Sequence, residues 1–245
     1  MAMPSPLEDD GDIVALPIDM THARRGSLPS SSIPRLLPLP ELLRLYERCQ
    51  VALDPEPSPV IELIGSVPGE GTSTVTAELA LVACGVLQRR TLVVDAASGP
   101  RSRLGRSLGV ETPISLDKVM NGQAPILDAL AALPDVDLHY ATIETGGLYS
   151  SRRLPPGRTL QSMFSRLRQH YELILVDGGS LRSPAFSPLL ARAVDGIVLV
   201  VEAERTRAPV VEQAIEMLEA SRARLLGAVL NKRRYHIPRA FYDKI

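Results

Sequence analysis

The sequence predicts an α/β fold of three layers, with helices on both sides of a mostly parallel central sheet. Six apolar runs, at 59–65, 91–95, 137–142, 172–177, 196–201 and 225–230, are nearly continuous rather than alternating. Strands read this way when helices cover both of their faces. Helical patterns at 73–88, 115–121, 159–169, 187–193 and 209–221 separate them, so strand and helix take turns along the chain. In such sheets ligands bind at the carboxyl ends of the strands, which directs attention to the residues just after each apolar run.

Taken in order, residues 1–38 are rich in proline and serine and bury too little apolar surface to order themselves, so they are expected to form a flexible arm. A helix follows at 40–52, apolar at Leu42, Leu43, Leu45 and Tyr46 and charged at Glu41, Arg44, Glu47 and Arg48. Residues 53–58 form a proline-broken connector to the first strand. The expected division is arm 1–38, one domain with its leading helix 39–234, and a tail 235–245.

Composition excludes several classes. A formal charge of −1 and a pI near 6.4 give no overall attraction to nucleic acid. Cys49 and Cys84 lack metal-ligand spacing and suit a reducing compartment, with Cys84 read as a small core residue. The acidic start, 1–12, is unlike a signal peptide, and no apolar run reaches the ~18 residues of a membrane span. The expectation is a cytoplasmic protein, peripheral to the inner membrane through a partner.

The chemistry concentrates after the first strand, in Gly65-Ser66-Val67-Pro68-Gly69-Glu70-Gly71-Thr72-Ser73-Thr74. Strand, glycine-rich turn and helix N-terminus form the order in which backbone N–H groups cradle a phosphate, so the domain reads as P-loop NTPase-like. Gly69, Glu70, Gly71, Thr72, Ser73 and Thr74 are the candidate nucleotide-binding residues. Ser73 stands where a hydroxyl ligates Mg²⁺. Thr72 stands where a lysine is required. The strands closing at Asp95 and Asp177 would each end in an acid at the same edge, Asp177 as a Walker B carboxylate for Mg²⁺.

These residues, with Gly227-Ala228-Val229-Leu230-Asn231 near the end, resemble the bacterial tyrosine kinases of capsule and exopolysaccharide export, within the wider MinD/ParA class of deviant P-loop ATPases. The resemblance covers about 40–245. It implies a cytoplasmic domain docking on a transmembrane polysaccharide co-polymerase, with ATP or ADP and Mg²⁺ as ligands and self-association through the first helix. In the wider class the asparagine at Asn231 contacts the adenine edge; an asparagine closing a strand in a turn is the other reading.

The departures from the family are systematic. Thr72 replaces the loop lysine, Ala97 replaces a second aspartate after Asp95, and Gly99 replaces an arginine. Gly178, Gly179 and Ser180 follow Asp177 where a proline pair is usual. Of the first-helix Glu-X-X-Arg-X-X-Arg pattern, Glu41 and Arg44 remain and Glu47 replaces the last arginine. Instead of a dense C-terminal tyrosine cluster the tail holds Tyr235 and Tyr242. Phosphoryl transfer depends on neutralising charge on the moving group, and Thr72 and Ala97 remove a cation and a carboxylate from that task. Arg101, Arg103, Arg152, Arg153 or a partner's arginine could compensate. Backbone N–H groups, Ser73 and Asp177 are still present to hold a nucleotide.

The expected function is therefore a degenerate, kinase-like regulator or scaffold of exopolysaccharide synthesis and export. The alternatives are an active ATP-dependent tyrosine autokinase, with Asp95 and Asp177 as its catalytic acids, and a positioning ATPase. Glu41, Arg44, Tyr235, Phe241 and Tyr242 are the candidate partner-docking residues; the basic–aromatic tail reads equally as a terminal helix packed on the domain.

Overall fold

Strand β1 (Val60–Gly65) is buried at every position, and it lies inside a seven-stranded sheet of order β3-β4-β2-β5-β1-β6-β7, next to the central strand β5. This is a computed structural model of the chain, describing residues 37–97, 103–112, 114–144, 157–183 and 188–233. The tail with Tyr235, Phe241 and Tyr242, and the arm up to residue 36, lie outside the described residues. Strands β2 (Thr91–Asp95), β4 (Leu138–Thr142), β5 (Leu173–Ser180), β6 (Gly196–Glu202) and β7 (Leu225–Asn231) run parallel to β1. The two-residue β3 (Ala131–Ala132) pairs antiparallel with β4.

Alternation of side chains across this sheet makes the three layers. On one face Ile61, Leu63, Val93, Leu175, Val198 and Val200 pack under α1 (Leu39–Leu53) and α2 (Thr72–Gly85). Helix α1 buries Leu42, Tyr46, Cys49 and Leu53, an i, i+4, i+7, i+11 stripe, and opens with Pro40 where a missing N–H costs nothing. Helix α2 is buried on most of its circumference because it sits between α1 and the sheet. It stops at Gly85, short of 88, where Gln88 turns left-handed and its amide caps the Cys84 and Gly85 carbonyls.

On the other face Val60, Leu92, Val94, Ile174 and Val176 meet α5 (Gly157–Leu167). Ile64, Ile197, Leu199 and Val201 meet α7 (Ala208–Ala220), with the short α6 (Pro188–Ala191) beside them. Short helices α3 (Arg103–Leu108) and α4 (Leu116–Met120) and a 3₁₀ turn (Ile126–Ala129) connect β2 to β3. No helix among the described residues is long and apolar enough to cross a membrane.

One expectation changes. The strand carrying Asp177 does not close there. It continues through Gly178 and Gly179 to Ser180, which pairs with Gly65 after a register shift. Gly179 has φ +67, so the diglycine that reads as a loop is a bulge inside the strand. Asp177 is thus an interior strand residue, while Asp95 does end β2.

Candidate phosphate-loop site

The loop between β1 and α2 is shaped by backbone first. Gly69 and Gly71 both hold φ +93, where any other residue would be strained, and Gly71 is the N-cap of α2. The N–H groups of the first helical turn, from Thr72 onward, head the helix and lack carbonyl partners within it, which is the local chemistry of an anion site.

Strand ends on β6 and β7 grip the outside of this loop. Glu70 is 1% exposed, and its carboxylate turns back into the protein. Its Oε2 accepts from the Val67 N–H at 2.9 Å, and Oε1 accepts from the Thr206 hydroxyl at 2.6 Å and the Glu202 N–H at 3.3 Å. Asn231, fully buried, donates from Nδ2 to the Glu70 carbonyl at 2.8 Å and accepts on Oδ1 from the Lys232 N–H. Lys232 Nζ donates to the Gly69 carbonyl at 2.6 Å and pairs with Glu202 at 3.1 Å. That contact holds the Glu202 carboxyl below its ordinary range. Sequence reasoning had no role for Lys232, Glu202 or Thr206; only the position of Lys232 directly after a strand-end asparagine hinted at one.

Inside the cradle the positions without a cation or acid are closed by packing. Thr72 is 6% exposed, and a Cβ placed on Gly65 would come within 2.9 Å of its hydroxyl, so its side chain folds back toward the end of β1. Ala97 lies so near the β5 bulge that a Cβ on Gly179 would stand 2.9 Å from its own Cβ. Arg101, Arg152 and Arg153 lie outside the described residues, as does the Arg103 side chain.

Asp95 and Asp177 are register partners on β2 and β5, both fully buried. Asp95 accepts from the Ala97 N–H at 3.0 Å and the Tyr140 hydroxyl at 3.3 Å. Asp177 Oδ1 accepts from the Gly179 N–H, while Oδ2 has no hydrogen bond among the described residues. Burial, then the Asp95 charge, push the Asp177 carboxyl up to about 7, against the pull of the Ser73 hydroxyl and the Gly179 N–H. A buried carboxylate oxygen without a partner, beside a serine hydroxyl, is a hard-oxygen donor set that fits Mg²⁺. Among the described residues no cluster of His, Cys, Asp or Glu would hold a metal by itself.

Behind Asp177, on the opposite face of the sheet, stands an acid the sequence reading passed over. Glu62 interrupts the apolar run of β1, is 1% exposed, and its Oε2 has no hydrogen bond among the described residues. Burial, then the Asp177 charge, push its carboxyl up to about 8. Gly178 makes room for it: a Cβ there would fall 2.3 Å from Glu62 Oε1.

Of the docking candidates, Glu41 and Arg44 line a groove of about 320 Å³ between α1 and β7, remote from the loop's inner side.

No protein-family model matches the chain. Over 171 residues it is 26% identical to the tyrosine-protein kinase CpsD of Streptococcus agalactiae, covering 67% of this chain and 71% of that protein. Over 190 residues it is 25% identical to the succinoglycan biosynthesis transport protein ExoP of Rhizobium meliloti, covering 75% of this chain and 23% of ExoP. Among solved structures, the kinase domain of the Escherichia coli tyrosine kinase ETK superposes with a TM-score of 0.61 at 18% identity, over 80% of this chain and 77% of that one. The septum site-determining protein MinD of Pyrococcus horikoshii, complexed with Mg-ADP, gives 0.57 at 23% identity, over 76% of each chain. The fold is that of the P-loop NTPases of the bacterial tyrosine kinase and MinD kind.

Proposed function

We propose that this relative of the bacterial tyrosine kinases of capsule and exopolysaccharide export is a regulator or scaffold of exopolysaccharide synthesis and export, and not an efficient kinase. It works in the cytoplasm beside a transmembrane polysaccharide co-polymerase, reaching the inner membrane through that partner. Its cradle holds ATP or ADP as a ligand, through the loop amides, Ser73 and Thr74. Ser73 and Asp177 would hold the accompanying Mg²⁺, which when bound neutralises phosphate charge. Glu41 and Arg44 on α1 are the docking or self-association face, with Tyr235, Phe241 and Tyr242 of the tail as a second docking element.

The observation that carries this reading is Thr72. It is buried and folded against Gly65, in the place from which a lysine would reach the transferring phosphate, so this position adds no positive charge where charge develops. The Ala97–Gly179 contact supports it, since the second aspartate's place is taken up by packing.

The test is incubation of the whole protein with labelled ATP and Mg²⁺, paired with calorimetry on wild type and Thr72→Lys. The expected results are no tyrosine label, measurable nucleotide binding, and an affinity about tenfold tighter in Thr72→Lys, because a lysine–phosphate contact is charge-assisted. Label on Tyr235 or Tyr242 that disappears in Asp177→Ala would instead establish an active autokinase.

A further inference from the structure

Strand β7 is an outer strand of the sheet: it pairs with β6, and among the described residues no strand lies on its other side. Outer strands present a row of unpaired N–H and C=O groups and are commonly guarded by charges or proline. The run Leu225-Leu226-Gly227-Ala228-Val229-Leu230 carries neither. Its register shift near Val198 bends the start of the strand, but Gly227 and Ala228 are exposed and Leu230 is 62% exposed. Beside it α1 overhangs, leaving the groove floored by Leu226, Val229 and Leu230 and rimmed by Arg44 and Arg48, both exposed, with the half-buried Glu41 beside them, so that the rim is net positive. An open, apolar, uncharged edge under a basic rim calls for an extended segment that is apolar in its middle and acidic at its ends.

We propose that residues 12–19 of this same chain are that segment, added to β7 as the eighth strand of the sheet. They read Asp12-Ile13-Val14-Ala15-Leu16-Pro17-Ile18-Asp19, an apolar run closed by acids, with Glu8, Asp9 and Asp10 just before it. At eight residues the segment is one longer than the seven-residue β7. Its charge complements Arg44 and Arg48. The tail does not: Arg234, Arg239 and Lys244 would meet the same two arginines. A second copy would bring a second basic rim to the first.

Place and tether agree. Leu37 lines the groove itself and is pinned there by its N–H, which donates to the buried Glu78 of α2 at 3.1 Å. The arm therefore leaves from the groove. The link from Asp19 back to Leu37, treated as a flexible chain, spans about 24 Å, comparable with the strand it must reach. Such tethering places the segment at an effective concentration in the millimolar range. Pro17 fits the same geometry, because proline is tolerated on an outermost strand and discourages a further strand from pairing outside it. The arm strand then covers the groove that holds Glu41 and Arg44, so a partner docking on α1 must displace it.

Amide hydrogen exchange on the full-length protein tests this, independently of the phosphate-loop reading. The outward amides of Gly227–Leu230 are expected to exchange at least tenfold faster in Val14→Asp/Leu16→Asp than in wild type, with the domain still folded and its thermal midpoint lowered by about 3–6 °C, the stability that tenfold docking contributes. Reversing charge on one side (Arg44→Glu/Arg48→Glu) is expected to release the same amides, and adding Asp12→Lys/Asp19→Lys to that variant to restore protection. The proposal fails if β7 exchanges equally in wild type and the arm variant. Fast exchange in both means an open groove; protection in both that falls on dilution means that a second copy covers it.

Discussion

Replacing Glu62 with glutamine should stabilise the protein, and by an amount that depends on pH. The carboxyl is buried in β1 and raised from 4.5 to about 8. Between those values the folded protein keeps a proton that the unfolded chain has released, so stability falls as pH rises, by about 1.4 kcal/mol per pH unit. From 4.5 to pH 7 the loss reaches about 3 kcal/mol; it is near zero below pH 4.5 and levels off above pH 8. Glutamine has the same shape, so it fits against Gly178 and has no charge to desolvate. The Glu62→Gln protein is expected to gain under 1 kcal/mol at pH 5 and about 3 at pH 7. That difference corresponds to a thermal midpoint raised by about 6–12 °C at neutral pH. Asp177, raised from 3.8 to about 7, contributes a loss of the same sign that the variant retains, so its pH slope should become shallower without vanishing. Urea unfolding at pH 5, 6, 7 and 8 measures this. Equal stability of the two proteins at pH 7, or a gain of the same size at pH 5 and pH 8, refutes the reasoning.

Two further substitutions probe the surroundings of the loop. Gly178→Ala should cost about 1–3 kcal/mol by driving a methyl into Glu62 Oε1, and the cost should shrink in a Glu62→Ala background; undiminished cost in that background would mean the clash lies elsewhere. Asn231→Ala removes a buried hydrogen bond to the Glu70 carbonyl of the loop and a part-buried one from the Lys232 N–H, and should cost about 2 kcal/mol of stability. It should weaken inorganic tripolyphosphate and ATP alike, since Asn231 shapes the loop; loss of ATP alone would assign the side chain to the base.

What the sequence disclosed was whatever repeats locally. Apolar runs located β1, β2, β5 and β6 because burial on both faces removes most polar residues; β4 and β7 were found from runs of the same kind, although several of their positions are half-buried or exposed. The two-residue β3 and the six-residue α3 are too short to show a period, and neither was expected. The end of β5 was misplaced for a different reason: Gly178-Gly179 has the composition of a loop, and only the return of Ser180 to Gly65 makes it strand. The cradle was legible down to Ser73 and Thr72. Its supports were not, because the Asn231–Glu70 bond spans 161 residues and the Lys232–Gly69 bond 163. A lysine after a strand carries no local sign of which carbonyl it will find. Glu62 did carry one, a charge amid Val60, Ile61, Leu63 and Ile64, and it was passed over because a single charge inside an apolar run does not reveal the carboxylate it will face.

The distance between the loop and its supports also orders events during synthesis. Strand β1 leaves the ribosome before every other strand among the described residues, yet its sheet neighbours are β5 and β6, more than a hundred residues later. Pairings so far apart in the chain are late and slow steps in folding. The loop waits longer still, since Glu70 needs Glu202 and Thr206, and its backbone needs Asn231 and Lys232. A nascent chain halted before Asn231 contains the whole glycine-rich sequence and none of the β7 fastenings that give it form. The phosphate cradle, translated before every strand that fastens it, is thus among the last parts of the domain to acquire its shape.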